Sequence, residues 1–156
     1  MSKEPIRSAP SSALHLLHRA GQIADELFTL NMGKNELTPR QFEVLKAVSM
    51  SDEPSQTMLV EMTGIDRSTL ADIVRRLVDR GLVTRKRTRH DARMYALKLS
   101  EKGEMTIRDA QPAVEQTDER ILAALPQRDR ELFIKGLERM VETLGRDEDD
   151  TAPPAI

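Results

Sequence analysis

The stretch Asp66-Arg67-Ser68-Thr69-Leu70-Ala71-Asp72-Ile73-Val74-Arg75-Arg76-Leu77-Val78-Asp79-Arg80-Gly81-Leu82-Val83-Thr84-Arg85 decides the fold. Leu70, Ile73, Val74 and Leu77 recur at helical spacing, which predicts an amphipathic helix with one buried face. Asp66 stands where an N-cap belongs, and Ile65 and Leu70 are placed as a hydrophobic staple around it. Gly81 ends the helix, and beyond it the period changes from helical to alternating. Leu82-Val83-Thr84-Arg85-Lys86-Arg87 and Met94-Tyr95-Ala96-Leu97-Lys98-Leu99 both read as strands. The basic turn Thr88-Arg89-His90-Asp91-Ala92-Arg93 between them makes an antiparallel hairpin.

Working back toward the N-terminus, Gly64 stops a short helix predicted from Ser55 to Thr63, with Met58, Leu59 and Met62 as its apolar residues. Before it, Thr38-Pro39-Arg40-Gln41 is a capping box with proline at the first helical position. That helix would bury Phe42, Val44, Leu45 and Val48. Helix, short helix, glycine turn, helix and hairpin is the order of a winged helix-turn-helix, assigned here to residues 33–100.

The flanks are helical. A first helix is predicted from Ser12 to Met32. Its two apolar stripes, Leu14/Leu17/Gly21/Ala24/Phe28 and Leu16/Ala20/Ile23/Leu27/Leu30, lie on opposite faces and call for two packing partners. Ser100 caps a long helix with Ile107, Ala110, Val114, Thr117, Ile121 and Ala124 at near-heptad spacing, and Pro112 inside it should kink it. A last helix near Gln127 to Leu144 places Phe133, Leu137, Met140 and Leu144 on one face. The fold class is therefore mainly α with a small β-wing. Residues 11–32 and 101–145 form a helical dimerisation region that makes the molecule a homodimer. Residues 1–10 are a flexible arm, and 146–156 are a disordered acidic tail.

Composition narrows the function classes. The absence of cysteine removes disulfides, thiol catalysis, thiol redox sensing and Cys-ligated zinc. No apolar run approaches the roughly 20 residues of a membrane span, and nothing reads as a signal peptide, so a cytoplasmic address and no membrane partner are expected. The net charge is −2, but Arg75, Arg76, Arg80, Arg85, Lys86, Arg87, Arg89 and Arg93, opposed only by Asp79 and Asp91, give +6 over residues 75–93. The rest of the chain then carries −8, and a basic block on an acidic protein is the pattern of a localised anion-binding surface.

Duplex DNA is the anion that this block suits. Arg67, Ser68 and Thr69 lie in the first turn of the helix that would enter the major groove, where hydroxyls and the helix N-terminus meet phosphates and base edges. Arg75 or Arg76 could reach guanine or phosphate, while Asp72 needs a neighbouring arginine to be tolerated there. At the hairpin tip, Arg89 and Arg93 suit the narrow minor groove, with Asp91 steering Arg93. The bland alternative for the turn is a solvated charged loop.

Residues 37–103 resemble the multiple-antibiotic-resistance regulator (MarR) family. The matching stretches are Leu37-Thr38-Pro39-Arg40-Gln41-Phe42, Asp66-Arg67-Ser68-Thr69-Leu70, Leu77-Val78-Asp79-Arg80-Gly81-Leu82-Val83-Thr84-Arg85, Asp91-Ala92-Arg93 and Leu97-Lys98-Leu99-Ser100-Glu101-Lys102-Gly103. Ala92 departs from the pattern, standing where the family usually has a second wing arginine. The resemblance implies a dimer reading a palindromic operator, usually as a repressor that a small molecule releases.

A polar stripe of His15, His18, Gln22, Asp25 and Thr29, with Arg19 beside it, separates the apolar stripes of the first helix. Because the family often binds small anionic effectors next to this helix, His15, His18, Arg19 and Gln22 are effector candidates. An aromatic carboxylic acid or its coenzyme A thioester would suit them. The same stripe also reads as a polar seam of a dimer interface. A metal site is not expected, because the pair is His-x-x-His without the glutamate of a zinc enzyme. No cofactor and no catalytic residue are assigned. Two rival functions remain: a winged-helix module that binds protein instead of DNA, and a small enzyme built on His15, His18 and Asp25. The first leaves the +6 block without a purpose, and the second lacks a converging set of acid, base and nucleophile.

Overall fold

The computed structural model describes residues 12–34, 37–88 and 94–150, with side chains placed through residue 145. Six helices and two strands follow in the order α1 (Ala13–Met32), α2 (Pro39–Ser49), α3 (Gln56–Thr63), α4 (Arg67–Asp79), β1 (Val83–Arg87), β2 (Tyr95–Leu99), α5 (Glu101–Ala123) and α6 (Gln127–Asp150). The expected arm at 1–10 lies outside the described residues. No helix among those described is long and apolar enough to cross a membrane.

The helix starts are set by side chains that satisfy orphan backbone donors. Ser12, Ser55, Asp66 and Ser100 each accept from an N–H three residues on. The capping box is reciprocal: the Gln41 N–H donates to Thr38 Oγ1 at 3.1 Å, and the Thr38 N–H donates to Gln41 Oε1 at 3.2 Å. Gly64 closes α3 in the left-handed region at φ +68°, a conformation that costs a side chain about 1–2 kcal/mol. The strands pair antiparallel from Val83↔Leu99 to Arg87↔Tyr95. A bridge from Ser55 to Ala96 and a bond from the Leu97 N–H to the Pro54 carbonyl (2.9 Å) tie the hairpin to the start of α3.

One apolar core runs through both predicted regions. Val44, Leu45, Val48, Leu59, Leu70, Val74, Leu77, Leu82 and Leu97 are buried at the centre of the winged unit. Phe28 and Met32 of α1 and Ile107, Ala110 and Ala113 of α5 continue the same cluster. The rings of Phe28 and Phe42 lie 5.9 Å apart, joining α1 to α2. Asn31 Nδ2 donates to Thr117 Oγ1 at 2.9 Å, joining α1 to α5. Two surfaces have no cover in the single chain. Leu14 and Leu30 on α1 are 65% and 72% exposed, and Leu132 and Val141 on α6 are 70% and 73% exposed.

At the C-terminal side one helix boundary differs from expectation, that of α6. α5 runs unbroken through Pro112, with Ala110 and Ala113 buried on either side of it. α6 continues to Asp150, past the expected end at Leu144 and into the segment read as an acidic tail. No proline stands in its way before Pro153.

Leu45 is fully buried where α2 meets the rest of the core. Leu45→Ala should lower the free energy of unfolding by about 2–5 kcal/mol in denaturant titration. A loss below about 1 kcal/mol would mean that this core is not packed as described.

Candidate nucleic-acid interface

α4 divides cleanly into a buried and an exposed side. Leu70, Ile73, Val74 and Leu77 are buried, while Arg67, Ser68, Thr69, Arg75 and Arg76 are exposed. Asp66 organises the first turn. Its Oδ1 accepts from the Thr69 N–H at 2.9 Å and from the Ser68 hydroxyl at 2.9 Å. Hydrogen bonds from Thr69, side chain and backbone, and then from Ser68 lower the Asp66 carboxyl from 3.8 to about 2. The Ser68 hydroxyl is thus already engaged with Asp66. To a donor on a base edge it offers lone pairs, and it can donate to phosphate or to a base acceptor only by leaving Asp66.

Asp72 is paired as expected. Arg75 Nη2 donates to its Oδ1 at 2.6 Å and Arg76 Nε to its Oδ2 at 2.9 Å. Arg75 Nη1 also lies 3.6 Å from Asp79. The bond from Arg75, more than the charge of Arg76, holds the Asp72 carboxyl below its usual value. Within α4, Arg67, Arg75 and Arg76 face Asp72 and Asp79, so the helix itself carries only +1. Arg67 has no ion-pair partner among the described residues.

The positive surplus therefore sits on the hairpin. Arg85, Lys86 and Arg87 are exposed along β1, and the Arg87 guanidinium lies 6.0 Å from the centre of the Tyr95 ring. These stem residues belong to the basic block but were not singled out as contacts; their run of consecutive cations on an exposed strand is the signal that marks them. Arg89, Asp91 and Arg93 of the tip fall outside the described residues. Arg80, at the end of α4, is turned inward and donates to Gln41 Oε1 at 3.4 Å.

The stripe on α1 is not gathered into a cavity. His15, His18, Arg19 and Gln22 are all exposed on one turn after another of the helix, and Arg19 donates to Gln22 at 3.5 Å. Shallow cavities of about 180 Å³ beside Asp52, Lys98 and Glu104, and of about 210 Å³ beside Ser55, Thr57 and Tyr95, lie elsewhere. At the junction of α1 and α2, burial raises the Glu43 carboxyl, Arg40 opposes that shift and Asp25 reinforces it. No group of metal-ligating side chains occurs among the described residues.

Comparison with known proteins places this geometry. The model of the MarR family matches residues 35–94. The transcriptional regulator HosA of Escherichia coli O157:H7 is 31% identical over 108 residues, which cover 69% of this chain and 80% of that one. The chain belongs to the MarR family. Among solved structures, the transcriptional repressor CouR bound to a 23-mer DNA duplex is similar at a TM-score of 0.81 and 26% identity, covering 90% of this chain and 99% of that one. BpsR of Bordetella bronchiseptica, whose DNA binding is regulated by 6-hydroxynicotinic acid, is similar at a TM-score of 0.77 and 27% identity, covering 83% and 98%. The MarR-family winged helix thus accounts for α2 to β2 of this chain, with α1, α5 and α6 as its helical companions.

The Asp66 cap gives a direct check. The folded-state carboxyl lies below its unfolded value, so the cap stabilises the helix above 3.8 and loses that effect as pH falls toward about 2. The Asp66 carboxyl carbon should titrate by NMR with a midpoint near 2. A midpoint at the ordinary 3.8 would contradict the capped turn.

Proposed function

We propose that this MarR-family regulator is a homodimeric repressor that holds a palindromic operator until a small anionic effector releases it. The observation that carries this reading is the polar, exposed outer face of α4, backed by a buried face and followed at once by a cationic hairpin. A duplex can take the first turn of α4 in its major groove and the hairpin along its backbone and minor groove. The dimer is supported by the uncovered apolar faces of α1 and α6, which a second copy would bury. The regulatory role needs no catalytic group, and none is proposed.

The effector is assigned to the α1 stripe of His15, His18, Arg19 and Gln22. On the single chain these side chains face outward, so a pocket there needs a second subunit or a movement of α1 to close it. An aromatic carboxylic acid or its thioester remains the proposed class; the acid that regulates BpsR belongs to that class.

One titration series tests the whole proposal. Operator selected from random duplex and a scrambled control would be titrated at several salt concentrations, with and without added aromatic acids. Arg93→Ala should weaken both duplexes and flatten the log-affinity against log-salt slope by about 2, one contact from each subunit. Thr69→Ala should cost about 1–3 kcal/mol on the operator alone and leave the slope unchanged. His18→Ala or Arg19→Ala should blunt release by the acid without changing operator affinity. Equal affinity for operator and scramble, with no salt dependence, would refute DNA binding and favour a protein-binding module.

A further inference from the structure

The C-terminal end of α4 is received by the N-terminal end of α5 through a joint that DNA binding does not require as a contact. A helix end leaves carbonyls without intrahelical partners, and here α5 supplies the partners. The Arg80 carbonyl accepts from Lys102 Nζ at 3.0 Å. The Gly81 carbonyl accepts from the Ser100 hydroxyl at 2.6 Å, and the Leu82 carbonyl accepts from the Ser100 N–H at 3.0 Å. The Ser100 hydroxyl oxygen also caps α5 by accepting from the Gly103 N–H at 3.0 Å. The negative end of one helix dipole thus meets the positive end of the next.

Gly103 makes this approach possible. It is buried, and a methyl placed on it would overlap the Leu82 carbonyl oxygen and press on Leu99 Cδ2 at 3.3 Å. The obstacle is backbone, which has no flexible end to swing aside. α5 in turn is bound to α1 through the shared core and the Asn31–Thr117 bond. Four consecutive residues thus link the end of α4 directly to α5, beside the core that α2 shares with α1, α4 and α5.

We propose that Ser100 to Gly103 form a positioning joint that fixes the angle of α4 against the α1–α5 body, and so sets the half-site separation that a dimer reads. This rests on the DNA-binding dimer proposed above, and it concerns spacing, which no base or phosphate contact determines. A tight joint makes the two reading helices a rigid caliper, and a loosened one lets them splay.

The test uses the full-length protein and an operator selected from random duplex by the wild type. That operator would be resynthesised with its half-sites moved in single base-pair steps about the selected spacing, roughly one helical turn or about 10 bp. Wild type should bind one spacing about tenfold tighter than its neighbours, while Gly103→Ala should lose that preference to about threefold or shift its optimum. Affinity for random duplex should stay within about twofold of wild type, because no charge or contact to DNA is lost. Ser100→Ala removes the carbonyl bond and the cap without adding a clash, should broaden the profile in the same sense, and decides the matter if Gly103→Ala does not fold. A lowered melting temperature with an unchanged spacing profile in the folded variants would overturn the joint and leave DNA binding standing. A wild type that selects no paired half-sites would overturn the proposed function, and the joint with it.

Discussion

The burial of Leu70, Ile73, Val74 and Leu77 is the constraint on which the rest of the molecule depends. Each such side chain contributes about 1.5–3 kcal/mol when removed from water. Surface ion pairs contribute far less, because solvent screens them and two long side chains must be held still. The inner face of α4 therefore decides where that helix lies, and the Asp72 pairs only arrange its outer surface. Because the spacing of the apolar residues fixes the rotation of the helix, Arg67, Ser68 and Thr69 are pointed outward as a consequence of packing.

The electrostatics divide labour between two neighbouring elements. α4 is close to neutral, with Arg75 and Arg76 already drawn to Asp72. The hairpin carries the surplus, with Arg85, Lys86 and Arg87 exposed along its first strand. On the proposed reading, long-range attraction to a polyanion would come from the hairpin, and discrimination from the polar groups at the start of α4. On that reading Asp72 would add selectivity of its own. Either arginine must give up a short charge-assisted bond to turn toward DNA, so only a well-placed acceptor repays the exchange.

Most of the fold was legible because its signals are local. Thr38 with Gln41, Asp66 with Thr69, Gly64 and Gly81 each specify a helix boundary within four residues of chain. The core positions of α2 and α4 follow from periodicity, and the hairpin from the change of period after Gly81. What could not be read depends on contacts between distant segments. Asn31 and Thr117 meet across 86 positions, and nothing near Gly103 announces that it abuts the Leu82 carbonyl. The same holds for the site: its residues were named from the face of α4, but the prior engagement of Ser68 with Asp66 shows only once the turn is built. The α1 stripe stayed ambiguous because its meaning depends on what covers it, and one chain leaves it exposed.

The central claim is that two copies of α4 read one duplex from a fixed separation. The absence of native cysteine allows a single spin label at Asp79→Cys, on the exposed end of α4 in each subunit. Dipolar spectroscopy of the labelled protein on its selected operator should then show one narrow distance. Absence of dipolar coupling, or a broad distribution of distances, would contradict the account.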